Sequence, residues 1–420
     1  MKVLWVTNVP FAHHNDLLGK KEGAIASGSW LYAAYESAKN DERTKLFIVT
    51  TANISNVLSG EYDGNEFYVL PGGTMATYKI DDKRNIGIWE SLKEKVHPDL
   101  IFIWGTESRF SYVASEVFRD IPQIVYIQGV LSSIVQHYYD GIPIEYRTKT
   151  LRDYASIILH RDSYAIYKKQ VTFEKGILEN ASAVVVENDW CESQCLAYNR
   201  NLKVFRNFLP IRHEYYERKW NAEDMNRYTV FTNAGGAAIK GHHILYKAIA
   251  KVKQKYPQVK VFIPGYNYLE QVKQLRKRSG YIEYLYRIYK ENKLDENIEF
   301  TGLLTAKEMA RYIASCNVYV MPSMVENHSS SLIEAMIVGA PCISSLVGGT
   351  ANLIRYGENG YLYNSLEAIT LSGYIIQLFD DENLAKGMAD EAIKIRELRK
   401  QDFGEAMMEI YKSVYNNKKS

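Results

Sequence analysis

The chain has 420 residues, a length that predicts two or three domains. Its apolar fraction of 46% and charged fraction of 24% are ordinary for a folded protein, and a net charge of +2 gives no support to a nucleic-acid partner. No run of 18 or more apolar residues predicts a spanning helix, and four cysteines without nearby histidines at zinc-ligand spacing indicate a reduced, cytoplasmic protein.

The first half of the chain alternates short, almost wholly apolar runs with segments of helical length. Such runs are typical of strands buried on both faces of a parallel sheet. The predicted strands are 3–7, 46–50, 100–104, 124–127 and 183–186. The opening run favours a first strand over a signal peptide, because Asn8 and Pro10 interrupt it. This alternation predicts a Rossmann-like domain over residues 1–205.

The pattern then restarts and predicts a second Rossmann-like domain over residues 206–400. Its strands are predicted at 228–232, 260–263, 297–300, 318–321 and 341–344. The boundary lies in the polar, aromatic stretch 205–227, which fits neither the strand nor the helix period. A last helix at about 402–420 is a candidate to cross back to the first domain. We therefore expect an α/β protein with two doubly wound domains facing each other across a cleft.

Ligands of open α/β sheets bind outside the carboxyl ends of the strands, so strand-to-helix turns are the candidate sites. In the first such turn, "TNAGGAAIKG" at 232–241, Gly235 and Gly236 would allow close approach of a ligand. Lys240 stands at the start of the next helix, where a cation opposes the helix dipole by roughly 0.3–1 kcal/mol. With a phosphate bound beside the helix start, the lysine would contribute favourably to the electrostatic energy instead of unfavourably. The alternative is a solvated lysine on a turn of small residues.

The second turn is "MPSMVENHSSSLIEAM", residues 321–336. Glu326, Asn327 and His328 follow a predicted strand and offer donors and acceptors suited to sugar hydroxyls. Ser329 and Ser330 precede a helix whose free N–H groups suit a phosphate or sugar oxygen. The alternative for Glu334 is a capping box, because Ser331 stands three residues before it.

A third turn, "SGSW" at 27–30, places Gly28 and Ser29 before a helix of the first domain. Three turns of this kind, spread over both domains, indicate a diphosphate-linked ligand held in the cleft. The sequence has no Asp-x-Asp pair that would hold a divalent metal on it, so we expect neither a metal nor a cofactor.

The second turn also resembles a known signature. Pro322-Ser323-x-x-Glu326, followed by seven residues and Glu334, is similar to the Glu-x7-Glu motif of family 4 retaining glycosyltransferases, which have the GT-B architecture. Further stretches resemble the same family in order and spacing: Lys240-Gly241, "NFLP" at 207–210, "FTGLL" at 300–304, "VGG" at 347–349 and "YGENGYLY" at 356–363.

The resemblance implies a nucleotide-sugar donor, with a UDP-sugar favoured, and roles for single residues. Lys240 would bind the diphosphate, Glu334 the ribose, and Glu326 the donor sugar. Further donor-binding positions would be Gly28, Ser29, Gly235, Gly236, Gly265, Gly302, Leu303, Asn327, His328, Ser329, Ser330 and Leu332.

Two departures weaken the implied catalytic assignment. Many family members carry an arginine where this chain has Gly235. The resemblance makes domain 1–205 the acceptor side, and its acceptor-side loop often has a His-Gly pair where this chain has Gln128 and Gly129. His137 is therefore a substitute candidate for contacting the donor sugar or the acceptor, alongside Lys240 and Glu326 as catalytic candidates. The alternative for His137 is a surface or packing role.

The resemblance thus implies a metal-independent hexosyltransferase acting with retention on a glycan or lipid-linked oligosaccharide acceptor, in capsule or exopolysaccharide biosynthesis. Two alternatives stay open, a non-catalytic GT-B subunit that stabilises an active partner and a sugar-nucleotide epimerase. Peripheral contact with the inner face of the membrane is a further expectation. The basic, tyrosine-rich segment 270–293 either lies on an anionic membrane or forms a solvated face.

Overall fold

The computed structural model describes residues 1–20, 29–74, 77–159, 161–233 and 235–417. The chain forms two compact units, each built from separate segments. The first unit comprises Met1–Ser132, Ile166–Pro210 and Gln401–Ser420, and the second comprises Ser133–Ala165 and Ile211–Lys400. The chain therefore leaves the first unit at 132, earlier than the predicted boundary at 205, and returns to it at 166. It leaves again after 210.

The first unit contains one eight-stranded sheet. Its strands are β1 (Lys2–Thr7), β2 (Lys45–Ala52), β3 (Leu58–Tyr62), β4 (Asn65–Pro71), β5 (Leu100–Trp104), β6 (Gln123–Tyr126), β7 (Ala183–Val186) and β8 (Lys203–Arg206). Their order across the sheet is β3-β4-β2-β1-β5-β6-β7-β8, parallel except for the antiparallel β3–β4 pair. All five predicted strands are confirmed, and β3, β4 and β8 are additional.

The helices that accompany this sheet lie before, between and after its strands. They are α1 (Ala12–Leu17), α2 (Ser29–Ala38), α3 (Lys83–Val96), α4 (Arg109–Val117), α5 (Leu131–His137), α6 (Leu151–Ile158), α7 (Ser163–Asn180) and α8 (Asp189–Tyr198). Of these, α6 belongs to the second unit, and α5 and α7 cross the limits between units.

Alternate side chains of the buried strands fill two separate cores, one on each face of this sheet. Leu4 and Val6 belong to one core, and Val3 and Trp5 to the other. The last helix of the chain contributes to the second of these cores, where Trp5 Nε1 donates to the hydroxyl of Tyr411 at 2.9 Å.

The second unit has a six-stranded, wholly parallel sheet in the order β11-β10-β9-β12-β13-β14. Its strands are β9 (Thr229–Thr232), β10 (Lys260–Ile263), β11 (Ile298–Phe300), β12 (Val318–Met321), β13 (Cys342–Ser345) and β14 (Tyr361–Tyr363). The five predicted strands are confirmed to within a residue at either end, and β14 is additional.

The remaining helices are α9 (His242–Lys255), α10 (Gly280–Glu291), α11 (Ala306–Ser315), α12 (Ser330–Val338), α13 (Ala368–Asp380), α14 (Glu382–Ala392), α15 (Ile395–Leu398) and α16 (Phe403–Asn417). All but α16 belong to the second unit. Both units are doubly wound α/β domains, so the predicted fold class is confirmed. No helix among the described residues is long and apolar enough to cross a bilayer.

Segment 270–293 does not form one continuous basic helix. A 3-10 helix over Tyr268–Lys273 ends well before α10 begins, and Tyr281 and Tyr284 on α10 are buried. The charged side chains pair locally, as in the contact of Arg287 Nε with Glu291 Oε1 at 2.7 Å. These local pairs favour the solvated-face interpretation of this segment.

Candidate functional site

The chemistry-bearing turns of the second unit lie at the switch point of its sheet. The chain runs from β9 outward to β10 and β11, then returns to place β12 on the other side of β9. The loops that leave β9 and β12 therefore diverge at adjacent carboxyl ends and leave a crevice, the place where α/β sheets bind ligands. Lys240 follows β9 and Glu326 follows β12, so the sequence candidates converge here.

The two loops pack closely at Gly241. Its φ of +70° is in the left-handed region, and a Cβ there would lie only 1.7 Å from the carbonyl oxygen of Pro322. Beside this contact the backbone N–H of Met324 donates to the carbonyl of Ile239 at 2.8 Å. Only glycine permits this approach, so the Lys-Gly pair also sets the spacing between the two loops.

Lys240 and Glu326 form an ion pair across the switch point. The Lys240 Nζ donates to Glu326 Oε1 at 2.8 Å, and Ser323 Oγ donates to the same oxygen at 2.7 Å. The Glu326 side chain is only 13% exposed, whereas that of Lys240 is 33% exposed. Because an ammonium carries three donors, Lys240 keeps capacity to bind an anion while it contacts Glu326.

Helix α12 begins differently from the capping-box alternative. Ser329 is the N-cap, and its hydroxyl accepts from the N–H of Leu332 at 3.4 Å. The helix starts at Ser330, so Glu334 lies beyond the first turn and does not cap it. The capping-box interpretation of Ser331 and Glu334 is therefore wrong.

Glu334 instead contacts a residue far away in the sequence. Arg212 Nη2 donates to Glu334 Oε1 at 3.2 Å and to the hydroxyl of Tyr215 at 2.8 Å. Burial raises the pKa of the Glu334 carboxyl, and the charge of Arg212 opposes that rise. The result is a buried, oriented carboxyl one turn into the helix that follows β12.

The neighbouring loop residues are enclosed to different degrees. Asn327 and Ser329 are buried, and the ring of His328 contacts the guanidinium of Arg399. Burial holds the pKa of His328 well below its usual value, so this imidazole is neutral at physiological pH. The side chain of Leu332 is fully buried in the core, which leaves only its backbone for any contact with a ligand.

The glycines predicted to approach the donor occupy distinct environments. A Cβ on Gly235, whose φ is +152°, would lie 2.8 Å from Lys240 Cγ, so a side chain there would displace the lysine. Gly236 faces Tyr268 instead. Two other candidates, Gly265 and Gly302, are bridged by an N–H to carbonyl hydrogen bond of 2.7 Å. Leu303, beside that bridge, is 63% exposed.

The first unit has its own cluster at the switch point between β1 and β5. Asn8 Nδ2 donates to Gln128 Oε1 at 2.8 Å and to Glu107 Oε2 at 3.4 Å. These residues follow β1, β6 and β5, three neighbouring strands. Burial raises the pKa of the Glu107 carboxyl to about 7, and the backbone of Gly129 is one of the groups that oppose this rise.

The remaining predicted residues fall elsewhere. Gly28 lies outside the described residues, and Ser29 begins α2. His137 ends α5 in the second unit, where its Nδ1 lies 2.7 Å from Asp140 Oδ2. It is therefore not part of the Asn8 cluster.

Sequence reasoning missed Arg212, Tyr215 and Glu107. Arg212 and Tyr215 lie in the interdomain stretch, where no strand or helix pattern marks them. Glu107 carries a signal that could have found it, because it follows a predicted strand by three residues and so stands at a carboxyl end. Among the described residues no group of three or more His, Cys, Asp or Glu side chains is arranged to hold a metal ion.

Comparison with known proteins identifies the family of the second unit. Residues 214–395 match the family model described as glycosyl transferases group 1. An N-acetyl-alpha-D-glucosaminyl L-malate synthase from Bacillus anthracis is 28% identical over 130 residues, 31% of this chain and 33% of the relative. A D-inositol 3-phosphate glycosyltransferase from Pseudarthrobacter chlorophenolicus is 27% identical over 143 residues, 34% of this chain and 32% of the relative. The chain thus matches about a third of the length of these curated relatives.

Solved structures match the fold over almost the whole chain. Sucrose-phosphate synthase from Thermosynechococcus elongatus superposes with a TM-score of 0.69 at 17% identity, covering 99% of each chain. HepE from Anabaena, solved in complex with UDP and glucose, superposes with a TM-score of 0.67 at 17% identity, covering 98% of this chain and 100% of that chain. The chain therefore carries a glycosyl transferases group 1 domain of the family 4 type, within a GT-B fold.

Proposed function

We propose that the protein is a retaining glycosyltransferase that moves a sugar from a UDP-sugar to a glycan or lipid-linked oligosaccharide acceptor. The observation that carries this proposal is the ion pair of Lys240 and Glu326 at the switch point of the second sheet, with Glu334 on the helix that follows the same strand as Glu326. HepE, a structural neighbour, has been solved in complex with UDP-glucose, which supports the choice of nucleotide. The setting we favour is cell-surface polysaccharide synthesis at the inner face of the membrane.

In this proposal Lys240 stabilises the leaving diphosphate. Cleavage of the donor bond develops negative charge on the diphosphate, and an ammonium already placed beside it costs no reorganisation in the transition state. Glu326 contacts Lys240 and would accept hydrogen bonds from the hydroxyls of the donor sugar. The buried carboxyl of Glu334 accepts hydrogen bonds from the ribose. No metal is required, because Lys240 supplies the positive charge.

The test is binding of UDP and of a panel of UDP-, GDP- and ADP-sugars to the purified chain by calorimetry. We expect the wild type to bind UDP-sugars and Lys240→Met to lose about tenfold or more in affinity, as for a charge-assisted hydrogen bond. Lys247→Met, a lysine of α9 removed from the loop, is the matched control and should bind as the wild type does. Equal affinity of Lys240→Met and wild type would contradict the proposal.

A donor-turnover assay on the same protein separates the alternatives. Slow hydrolysis of the donor to free sugar and UDP indicates a transferase without its acceptor. Conversion of the donor to its epimer indicates an epimerase. Binding without any turnover indicates the non-catalytic subunit, which Gly235 and Gln128 motivate because they depart from the family pattern.

A further inference from the structure

The segment 144–159 of the second unit exposes a continuous apolar surface. None of the eight residues of α6, all of them described, is buried. The side chains of Leu151 and Ile158 are 81% and 75% exposed, and Tyr154 between them is 55% exposed. At 100° per residue these three lie within one narrow stripe of the helix. Ile157 of the same helix is also exposed, and so are Ile144 before α6 and Leu159 after it.

The opposite side of α6 is firmly attached to the rest of the unit. Asp153 closes a capping box with Thr150, and its Oδ2 also accepts from the N–H of Gly280 at 2.9 Å. Thr150 Oγ1 donates to the carbonyl of Arg278 at 2.8 Å. The polar contacts thus point inward and the apolar stripe outward, the reverse of the arrangement that burial would favour. A short helix that presents its apolar side in this way indicates an interaction surface.

The preceding turn is anchored in the same way. Tyr146 is buried against Tyr284, with ring centroids 5.1 Å apart, and accepts from Arg287 Nη1 at 3.1 Å. A Cβ on Gly280 would lie 2.2 Å from the Tyr146 carbonyl oxygen, so the two backbones are in direct contact. The apolar stripe is therefore held in place by a packed support and is not a loose loop end.

The charge around the stripe selects among possible partners. Among the described residues of 144–161, the exposed charged side chains are Arg147, Lys149, Arg152, Arg161 and Glu145. Asp153 is turned inward by the contacts above and Lys149 Nζ lies 3.2 Å from Glu283 Oε2, so Arg147, Arg152 and Arg161 outnumber Glu145 three to one on the outer surface. Exposed leucine, isoleucine and tyrosine surrounded by arginine and lysine are typical of helices that lie in the interface of an anionic bilayer.

We propose that segment 144–159 inserts its apolar stripe into an anionic membrane surface and attaches the second unit to it. The basic segment 270–293, for which the sequence left membrane contact and a solvated face both open, supports this surface from behind through Arg278, Gly280 and Tyr284. Membrane attachment is independent of the proposed sugar transfer, although it would suit an acceptor carried on a lipid.

Co-sedimentation with vesicles tests the proposal on the full chain without donor or acceptor. The probe is vesicles of phosphatidylcholine alone and of phosphatidylcholine mixed with phosphatidylglycerol in equal parts. We expect binding to the mixed vesicles only, and a loss of about tenfold per side chain in the double variant Leu151→Ser/Ile158→Ser. Arg152→Gln should weaken binding less and make it less sensitive to salt.

The matched control is Ile369→Ser/Leu398→Ser, because these side chains of the same unit are 76% and 72% exposed at other places. It should bind the mixed vesicles as the wild type does. Equal binding of both double variants, or no wild-type binding, would overturn the proposal. Self-association of the wild type that is lost only in Leu151→Ser/Ile158→Ser would overturn it in favour of a second copy of the chain. UDP affinity of the same preparations reports on the proposed function separately, so either can fail alone.

Discussion

Glu334 offers the sharpest test of whether the proposed site binds a nucleotide through its ribose. The side chain is 11% exposed and accepts from Arg212 Nη2 at 3.2 Å. Replacing it by glutamine keeps its size and removes its charge. If the carboxyl binds ribose hydroxyls, a hydrogen bond to a charged group worth about 1.5–3 kcal/mol is weakened. UDP affinity should then fall by roughly tenfold to one hundred and fifty-fold.

The comparison that isolates the ribose contact uses UDP and its 2′,3′-dideoxy analogue with wild type and Glu334→Gln, measured by isothermal titration calorimetry. The analogue lacks the hydroxyls, so it should bind the wild type more weakly than UDP does. Glu334→Gln should weaken binding of the dideoxy analogue little further, because the analogue has no ribose hydroxyls for the carboxyl to bind. The coupling between the two changes measures the carboxyl-to-ribose contact itself.

A structural role for Glu334 predicts a different pattern. Loss of the carboxylate leaves the half-buried guanidinium of Arg212 without its ion-pair partner, and we expect Glu334→Gln to lose about 1–3 kcal/mol of unfolding free energy. If stability falls while UDP and the analogue keep the wild-type ratio of affinities, the carboxyl only positions Arg212. That result would refute the ribose assignment.

Two further predictions concern the loops at the switch points. Gly241→Ala should lower the unfolding free energy in urea by about 3 kcal/mol or more, because a Cβ cannot fit 1.7 Å from the Pro322 oxygen. Gly357→Ala is its control, because Gly357 has a similar φ of +78° but open space where a Cβ would stand, and it should lower the unfolding free energy by only about 1–2 kcal/mol. Equal losses in the two variants would contradict the close packing of the two loops. Glu107→Gln tests the raised pKa of the Glu107 carboxyl, which binds its proton more tightly in the folded than in the unfolded state. The protonated carboxyl therefore contributes its full stability below the ordinary glutamate pKa of 4.5, and this contribution is lost as pH rises through about 7. Thermal unfolding of Glu107→Gln between pH 4.5 and 7 should therefore show a smaller fall in stability than that of the wild type. If the stability of the variant and of the wild type falls in parallel with pH, Glu107 is not the group responsible.

The buried strands could be predicted from the sequence because burial on both faces demands almost wholly apolar residues. β3 and β4 escaped notice because β3 is an edge strand only partly buried, although Asp63-Gly64 between them is a two-residue hairpin turn with φ of +52° and +74°. The mixed polar and apolar composition of β3 did not indicate a strand, although the Asp63-Gly64 turn could have predicted a hairpin at this position. β8 and β14 are short strands at sheet edges, where the apolar requirement relaxes.

The site was predictable where its residues follow strands directly and unpredictable where they meet through the fold. Lys240 and Glu326 were singled out because each follows a strand that proved to lie at the switch point. The partner of Glu334 was not, because Arg212 precedes it by 122 residues and no local pattern links the two. The exposed apolar side of α6 was not predictable either, because apolar residues at helical spacing normally indicate a buried face. The contacts of Asp153, which depend on the fold, show that the polar side of α6 is the attached one.

The order in which segments build the first unit has a consequence for biosynthesis. Its core includes Phe403, Met407 and Tyr411, which leave the ribosome after all of its strands. The second unit is complete at Lys400, so it has all of its own residues while the first unit still lacks α16. A nascent chain would therefore hold an unfinished apolar surface beside Trp5 until α16 has been made. Chaperone demand and sensitivity to premature termination should both concentrate on the amino-terminal sheet, although that sheet is made first.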